Sequence, residues 1–131
     1  MTVPLTGLYA GILTCMMLIL NFRVVGIRVR GKIGIGTGGV PELERAIRAH
    51  GNFLENVPMT LLLIGLLELN GASSYFLHSF GAGLVLGRGL HAIGLSHTPG
   101  LSPGRTLGML TTYLVQISAA AGLVYQFTMT L

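Results

Sequence analysis

Two long stretches without a single charged side chain, residues 1–22 and 106–131, restrict what this chain can become. A helix needs about 20 apolar residues at 1.5 Å apiece to cross a hydrocarbon core of ~30 Å, and each stretch has that length. Between them the apolar density barely falls: 51% of the 131 residues are hydrophobic and 9% are charged, with a mean hydropathy of +0.74. That composition lies outside the soluble class. It predicts a single all-α domain over residues 1–131, an integral membrane four-helix bundle with helices at about 2–29, 41–70, 73–95 and 102–131. The first stretch lacks the basic leading region and small-residue cleavage site of a secretory signal, so it reads as a retained helix.

The charges sit where the predicted helices end. A net charge of +4 can signal nucleic acid, but the basic residues are not spread over one soluble face. Arg28, Arg30 and Lys32 flank the first loop, Arg45 and Arg48 follow it, and Arg105 closes the third, whereas the second loop (70–74) and the N-terminus have no Lys or Arg. The positive-inside rule then predicts loops one and three in the cytoplasm and both termini on the opposite side. Short length and the absence of eukaryotic retention signals fit a bacterial inner membrane.

The second helix breaks the apolar pattern. In RAIRAHGNFLENVPMTLLLIGLLELNG, residues 45–71, Arg48, Asn52 and Glu55 fall at i, i+4 and i+7 and share one helical face. An ionised side chain at bilayer depth costs roughly 2.5–3.5 kcal/mol on insertion scales, and pairing is the usual remedy. Glu55 is therefore expected to be buried and paired with Arg88 or Arg28, either as a purely architectural contact or as part of a ligand site. Pro58 removes a backbone donor beside this row and predicts a kink. In the third helix Arg88 and His91 stand at i and i+3, a cation beside a titratable imidazole. Six arginines, 28, 30, 45, 48, 88 and 105, face only Glu42, Glu44 and Glu55. The excess suits a small carboxylate-bearing anion held by bidentate pairing, with anionic lipid headgroups as the competing partner.

Several chemistries lack their residues. Four histidines without an i, i+4 pair and one cysteine give no metal set, and the serines have no base and acid in a recognisable order. The glycine cluster 34–39 has no following Lys-Ser or Lys-Thr pair, so it reads as a loop and not a phosphate cradle. Cys15, in the middle of helix 1, is expected to pack as a small apolar residue. Small residues at four-residue spacing (Gly7 and Gly11, Gly83 and Gly87, Gly104 and Gly108, Ser118 and Gly122) predict close helix contacts. No helix carries a polar stripe through the full membrane depth, which weakens a channel or transporter reading.

Four blocks in order resemble the MAPEG family, the membrane-associated proteins in eicosanoid and glutathione metabolism. They are Arg48-Ala49-His50-x-Asn52-x-x-Glu55 with Pro58, the Arg28-Val29-Arg30 end of helix 1, Gly87-Arg88-x-x-His91 in helix 3, and Arg105-Thr106 at the start of helix 4. The resemblance implies a homotrimer binding glutathione as co-substrate between subunits near the cytoplasmic face. It implies Arg28, Arg48, Asn52, Glu55, Arg88 and His91 as binding or framework residues, and Arg105 with Thr106 as the pair beside the thiol. Glutathione-dependent transfer to, or peroxide reduction of, lipophilic substrates in a detoxification role is the function it implies. The alternative from the residues themselves is a non-catalytic trimeric scaffold or lipid-binding protein with an architectural polar core. The sequence departs from the family pattern at Gly51, where some members place another Arg, and at Leu95 and Met109, where some place Tyr.

Overall fold

In a computed structural model that describes residues 2–98 and 100–129, the chain forms four helices: α1 (Pro4–Gly31), α2 (Pro41–Leu69), α3 (Ser74–His97) and α4 (Pro103–Thr128). The observed ends lie within about two residues of those expected, apart from the last residues of helix 4, which fall outside the described ones. Prolines at the first turn of α1, α2 and α4 set the starts, because the missing N–H is one the helix would leave unpaired anyway. α2 begins with Glu42 and Glu44 at the positive end of its dipole, and α1 ends on Lys32 in the left-handed conformation.

α1, α2 and α4 are each long and apolar enough to cross a membrane. α3 has the length, 24 residues or about 36 Å, with glycines, serines, histidines and Arg88 set among its apolar residues. It is also the helix held most closely by its neighbours, above all by α4. Bilayer serves as the outer solvent: Ile19, Phe22, Leu62, Leu86, Leu114, Ile117 and Val124 all stand exposed. α2 touches every other helix, while α1 and α4 do not meet among the described residues.

The α3–α4 seam depends on glycine. A Cβ on Gly108 would lie 2.4 Å from the Gly87 carbonyl oxygen, and one on Gly94 would lie 2.7 Å from the Arg105 nitrogen. Only glycine permits that approach. The expected contacts at Gly83, Gly87, Gly104, Gly108 and Gly122 are therefore made, but Gly7 and Gly11 face open space on α1. Cys15 is likewise exposed, not packed, because α1 turns that side away from α2 and α3.

The main core joins Leu13, Leu20, Phe53, Val57, Ile64 and Leu84 across α1, α2 and α3. A second, smaller cluster of Val24, Ile27, Leu43 and Ala46, covered by Ile33 and Val40 from the first loop, holds the C-terminal end of α1 against the start of α2. These helices of 28 and 29 residues measure about 42 Å and overrun a ~30 Å core by roughly 12 Å. The small cluster lets that overhang project beyond the bilayer at the end bearing loops one and three. α2 stays helical through Pro58, which is exposed; beside it the Asn56 carbonyl accepts from Thr60 Oγ1 at 2.7 Å and Gln116 Nε2 at 3.2 Å.

Candidate functional site

At the loop-one and loop-three end, the first turns of α2, the last turns of α3 and the start of α4 enclose a cavity of about 270 Å³. Its wall includes Arg45, Arg48 and Asn52 from α2, His91 and Leu95 from α3, and Arg105 from α4, with Glu44 the acidic side chain among them. Counting about 20 residues inward from the far ends of α2 and α4 puts this cavity at the edge of the hydrocarbon core, where water and lipid meet.

Each wall group is aimed by a local cause. Arg105 occupies the first turn of α4; its backbone N–H donates to the capping Ser102 hydroxyl at 3.4 Å and its Nη1 donates to the Gly100 carbonyl at 2.8 Å. Arg88 lies behind the wall with 1% of its surface exposed. It donates through Nε to Thr112 Oγ1 at 3.0 Å, through Nη1 to Asn52 Oδ1 at 2.6 Å, and through Nη2 to the Gly108 carbonyl at 3.3 Å and Met109 Sδ at 3.2 Å. A guanidinium has donors only, so it fixes the Asn52 amide: the oxygen is consumed by Arg88 and the NH₂ is left for the cavity. Three guanidinium groups and an amide donor therefore line one small space. Arg45 adds an unused donor, since its buried Nε has no hydrogen-bond partner among the described residues, which buried polar nitrogens rarely tolerate.

The cavity thus gathers four of the residues singled out from sequence, Arg48, Asn52, His91 and Arg105, and rests on a fifth, Arg88. The other three stand apart. Arg28 is half-buried and folds back toward the Ile33 carbonyl, 3.5 Å from its Nη1; Thr106 is exposed on α4; Glu55 is exposed on α2 and has no partner among the described residues. The expected ion pair from Glu55 to Arg88 or Arg28 is not made within one chain. Asn52 faces Arg88 while Glu55, three residues on, is rotated outward, and neutral acceptors satisfy the Arg88 guanidinium. Of the three departures, Leu95 lines the cavity, Met109 accepts from Arg88, and Gly51 has open space where a Cβ would stand. No cluster of His, Cys, Asp and Glu able to hold a metal occurs among the described residues.

Attention to charge alone misses the rest of the network. Asn56 Nδ2 donates to the Asn52 carbonyl at 2.8 Å, and Gln116 Nε2 donates to Thr60 Oγ1 at 2.9 Å. The readable signal is spacing: Asn52, Asn56 and Thr60 recur every four residues on α2, as Gly108, Thr112 and Gln116 do on α4.

Residues 6–125 match the family model for MAPEG. The chain is also 35% identical over 108 residues to the inner membrane protein YecN of Escherichia coli strain K12, covering 82% of this chain and 81% of that protein, and equally similar to YecN of Escherichia coli O6:H1 strain CFT073. With an all-helical membrane bundle and a match over nearly its whole length, the chain belongs to the MAPEG family, whose membrane proteins serve glutathione and eicosanoid metabolism.

Proposed function

We propose that this protein is a glutathione-dependent transferase or peroxidase of a bacterial inner membrane, working as a homotrimer on lipophilic electrophiles or hydroperoxides. The observation that carries the reading is the donor-rich cavity with its unpartnered Arg45 Nε. Glutathione brings two carboxylates to such a wall and pairs with guanidinium groups in bidentate fashion. At about 270 Å³ the space in one chain is near the lower end of the ~300–1,000 Å³ of ordinary ligand sites, and a neighbour in the proposed homotrimer would extend it. Arg28 and Glu55 are the groups left over for that joint, and covering Glu55 removes the cost of a carboxylate facing lipid.

Loops one and three face the cytoplasm in this reading, which opens the cavity toward soluble thiol; an impermeant label on a cysteine placed at Ile35 checks the side. Arg48, Asn52 and His91 bind and orient the tripeptide, and Arg105 lies beside its sulfur, with Thr106, outside the single-chain cavity, left to the side that a neighbour completes. A free thiol with a pKa of ~8.5 is mostly protonated at neutral pH, and a nearby cation raises the thiolate fraction. The sulfur then forms its bond to the electrophilic carbon while the leaving group departs with the bonding pair. The substrate arrives sideways from the bilayer.

The competing reading, a non-catalytic scaffold, draws on the Arg88 network, which is self-contained and purely architectural as it stands. Thermal unfolding of the detergent-purified protein with increasing glutathione separates the two. A saturable rise in Tm is expected; an unmoved Tm at millimolar glutathione, together with no turnover of an aryl halide, leaves the scaffold.

A further inference from the structure

Arg23 has no part in the cavity above. It lies on α1, 20 residues from the helix start at Pro4 when both ends are counted, about 30 Å along and hence at the edge of the hydrocarbon core. Its Nη1 donates to the Ser96 hydroxyl in the last turn of α3, and that hydroxyl donates on to the Ala92 carbonyl at 2.6 Å. A guanidinium has five N–H donors, and no carboxylate among the described residues bonds this one. The neutral serine orients the charge without neutralising it.

Arg23 and Ser96 close one end of a groove of about 360 Å³ between α1 and α3. Met16 and Ile19 form one side of it and Ile93 the other, while Gly89 keeps the floor low, since a Cβ there would touch the Met16 methyl at 3.8 Å. An apolar trough running along the membrane normal and ending in an uncompensated cation at headgroup depth has the chemistry of an acyl chain joined to a phosphate.

We propose that this groove binds an anionic phospholipid of the leaflet next to loops one and three, with its phosphate on the remaining Arg23 donors, which Ser96 orients, and one acyl chain between α1 and α3. Charge complementarity selects the occupant: a basic pocket between membrane helices at the cytoplasmic side favours acidic headgroups, and guanidinium forms paired bonds to phosphate oxygens that a zwitterionic surface satisfies less well. The inference does not depend on glutathione binding.

The test is thermal unfolding in detergent micelles doped with phosphatidylglycerol or with phosphatidylcholine. Phosphatidylglycerol should raise the Tm of the wild type by about 4 °C more than phosphatidylcholine does. Arg23→Gln, which keeps a donor for Ser96, and Gly89→Leu, which fills the trough while leaving the charge, should each abolish that difference. Arg30→Gln, exposed and outside the groove, should preserve it. Equal stabilisation by both lipids, or a difference that survives in Arg23→Gln and Gly89→Leu, overturns the proposal. So does disulfide cross-linking between two copies carrying Ile93→Cys in a Cys15→Ser background, because a second copy then covers the groove.

Discussion

The two ends of α2 treat a carboxylate in opposite ways. Glu68, in the last turn, accepts from the Leu5 and Thr6 backbone nitrogens at 2.9 and 2.8 Å and from the Thr6 hydroxyl at 2.6 Å. It caps the start of α1, which has no side-chain cap of its own. Glu55, nearer the loop-one end, is exposed and unpartnered among the described residues. A charge satisfied inside the chain holds the fold; a charge left open is available to the ligand or neighbour of the proposed homotrimer. Arg88 belongs with Glu68 by this criterion, and Arg45, Arg48 and Arg105 belong with Glu55.

The largest effect should come from the closed class. Arg88→Leu strands the Asn52 oxygen, leaves the Thr112 hydroxyl with only its bond to the Gly108 carbonyl, and removes several charge-assisted bonds, for a loss of about 4 kcal/mol. That corresponds to a Tm fall of about 15 °C in detergent. Arg88→Lys should recover little, because one ammonium cannot replace a planar fork spread over four acceptors. A fall of only a few degrees would erase the division between closed and open charges.

Next comes the open class. Arg105→Ala removes a charge that makes only a rim contact to the Gly100 carbonyl, so the fold should tolerate it. If Arg105 stabilises bound thiolate, conjugation of an aryl halide should drop about 10²-fold, equivalent to about 2.7 kcal/mol in the barrier, with glutathione affinity changing less. Thiolate absorbance in the ultraviolet, followed as glutathione is titrated into wild type and variant near neutral pH, tests the cause. Equal absorbance in both would remove Arg105 from the thiol.

The same division explains what the sequence disclosed. Four helices were legible because bilayer physics demands apolar runs of fixed length, and Pro41 suits the first turn of the second. Arg48, Asn52, His91 and Arg105 were legible as a group through their polarity in apolar surroundings. The partner of Arg88 was not: Glu55 and Asn52 lie within one turn, and a rotation of about 60° between positions i and i+3 decides which faces the interior. Charge favours Glu55, and packing gives the contact to Asn52. Glu68 escaped notice because two of its three partners are backbone nitrogens of a distant segment, which carry no sequence signature.

Glu68→Ala should cost less stability than Arg88→Leu. Losing a helix cap with a charged acceptor removes about 1–2 kcal/mol, and hydrogen exchange should quicken at the Leu5 and Thr6 amides before any other part of α1. Glutathione-dependent stabilisation should be unchanged, since the cavity lies at the opposite end of α2. A loss of that stabilisation would show that the two ends are coupled through the helix.

The smallest effect bears on the open side of α2. Gly51 lies one turn before Glu55, and a Cβ there would meet nothing within 4 Å, so Gly51→Ala should stabilise by about 0.5–1 kcal/mol through lost backbone freedom in the unfolded chain. Gly108→Ala supplies the contrast, because its Cβ would strike the Gly87 carbonyl at 2.4 Å and separate α3 from α4. A Tm gain at Gly51 beside a clear loss at Gly108 means that the surface around Glu55 leaves room for a methyl group, the room the proposed tripeptide also needs. Destabilisation at Gly51 would mean that a neighbouring helix presses on that side, closing it to ligand and leaving Glu55 as a contact between subunits alone.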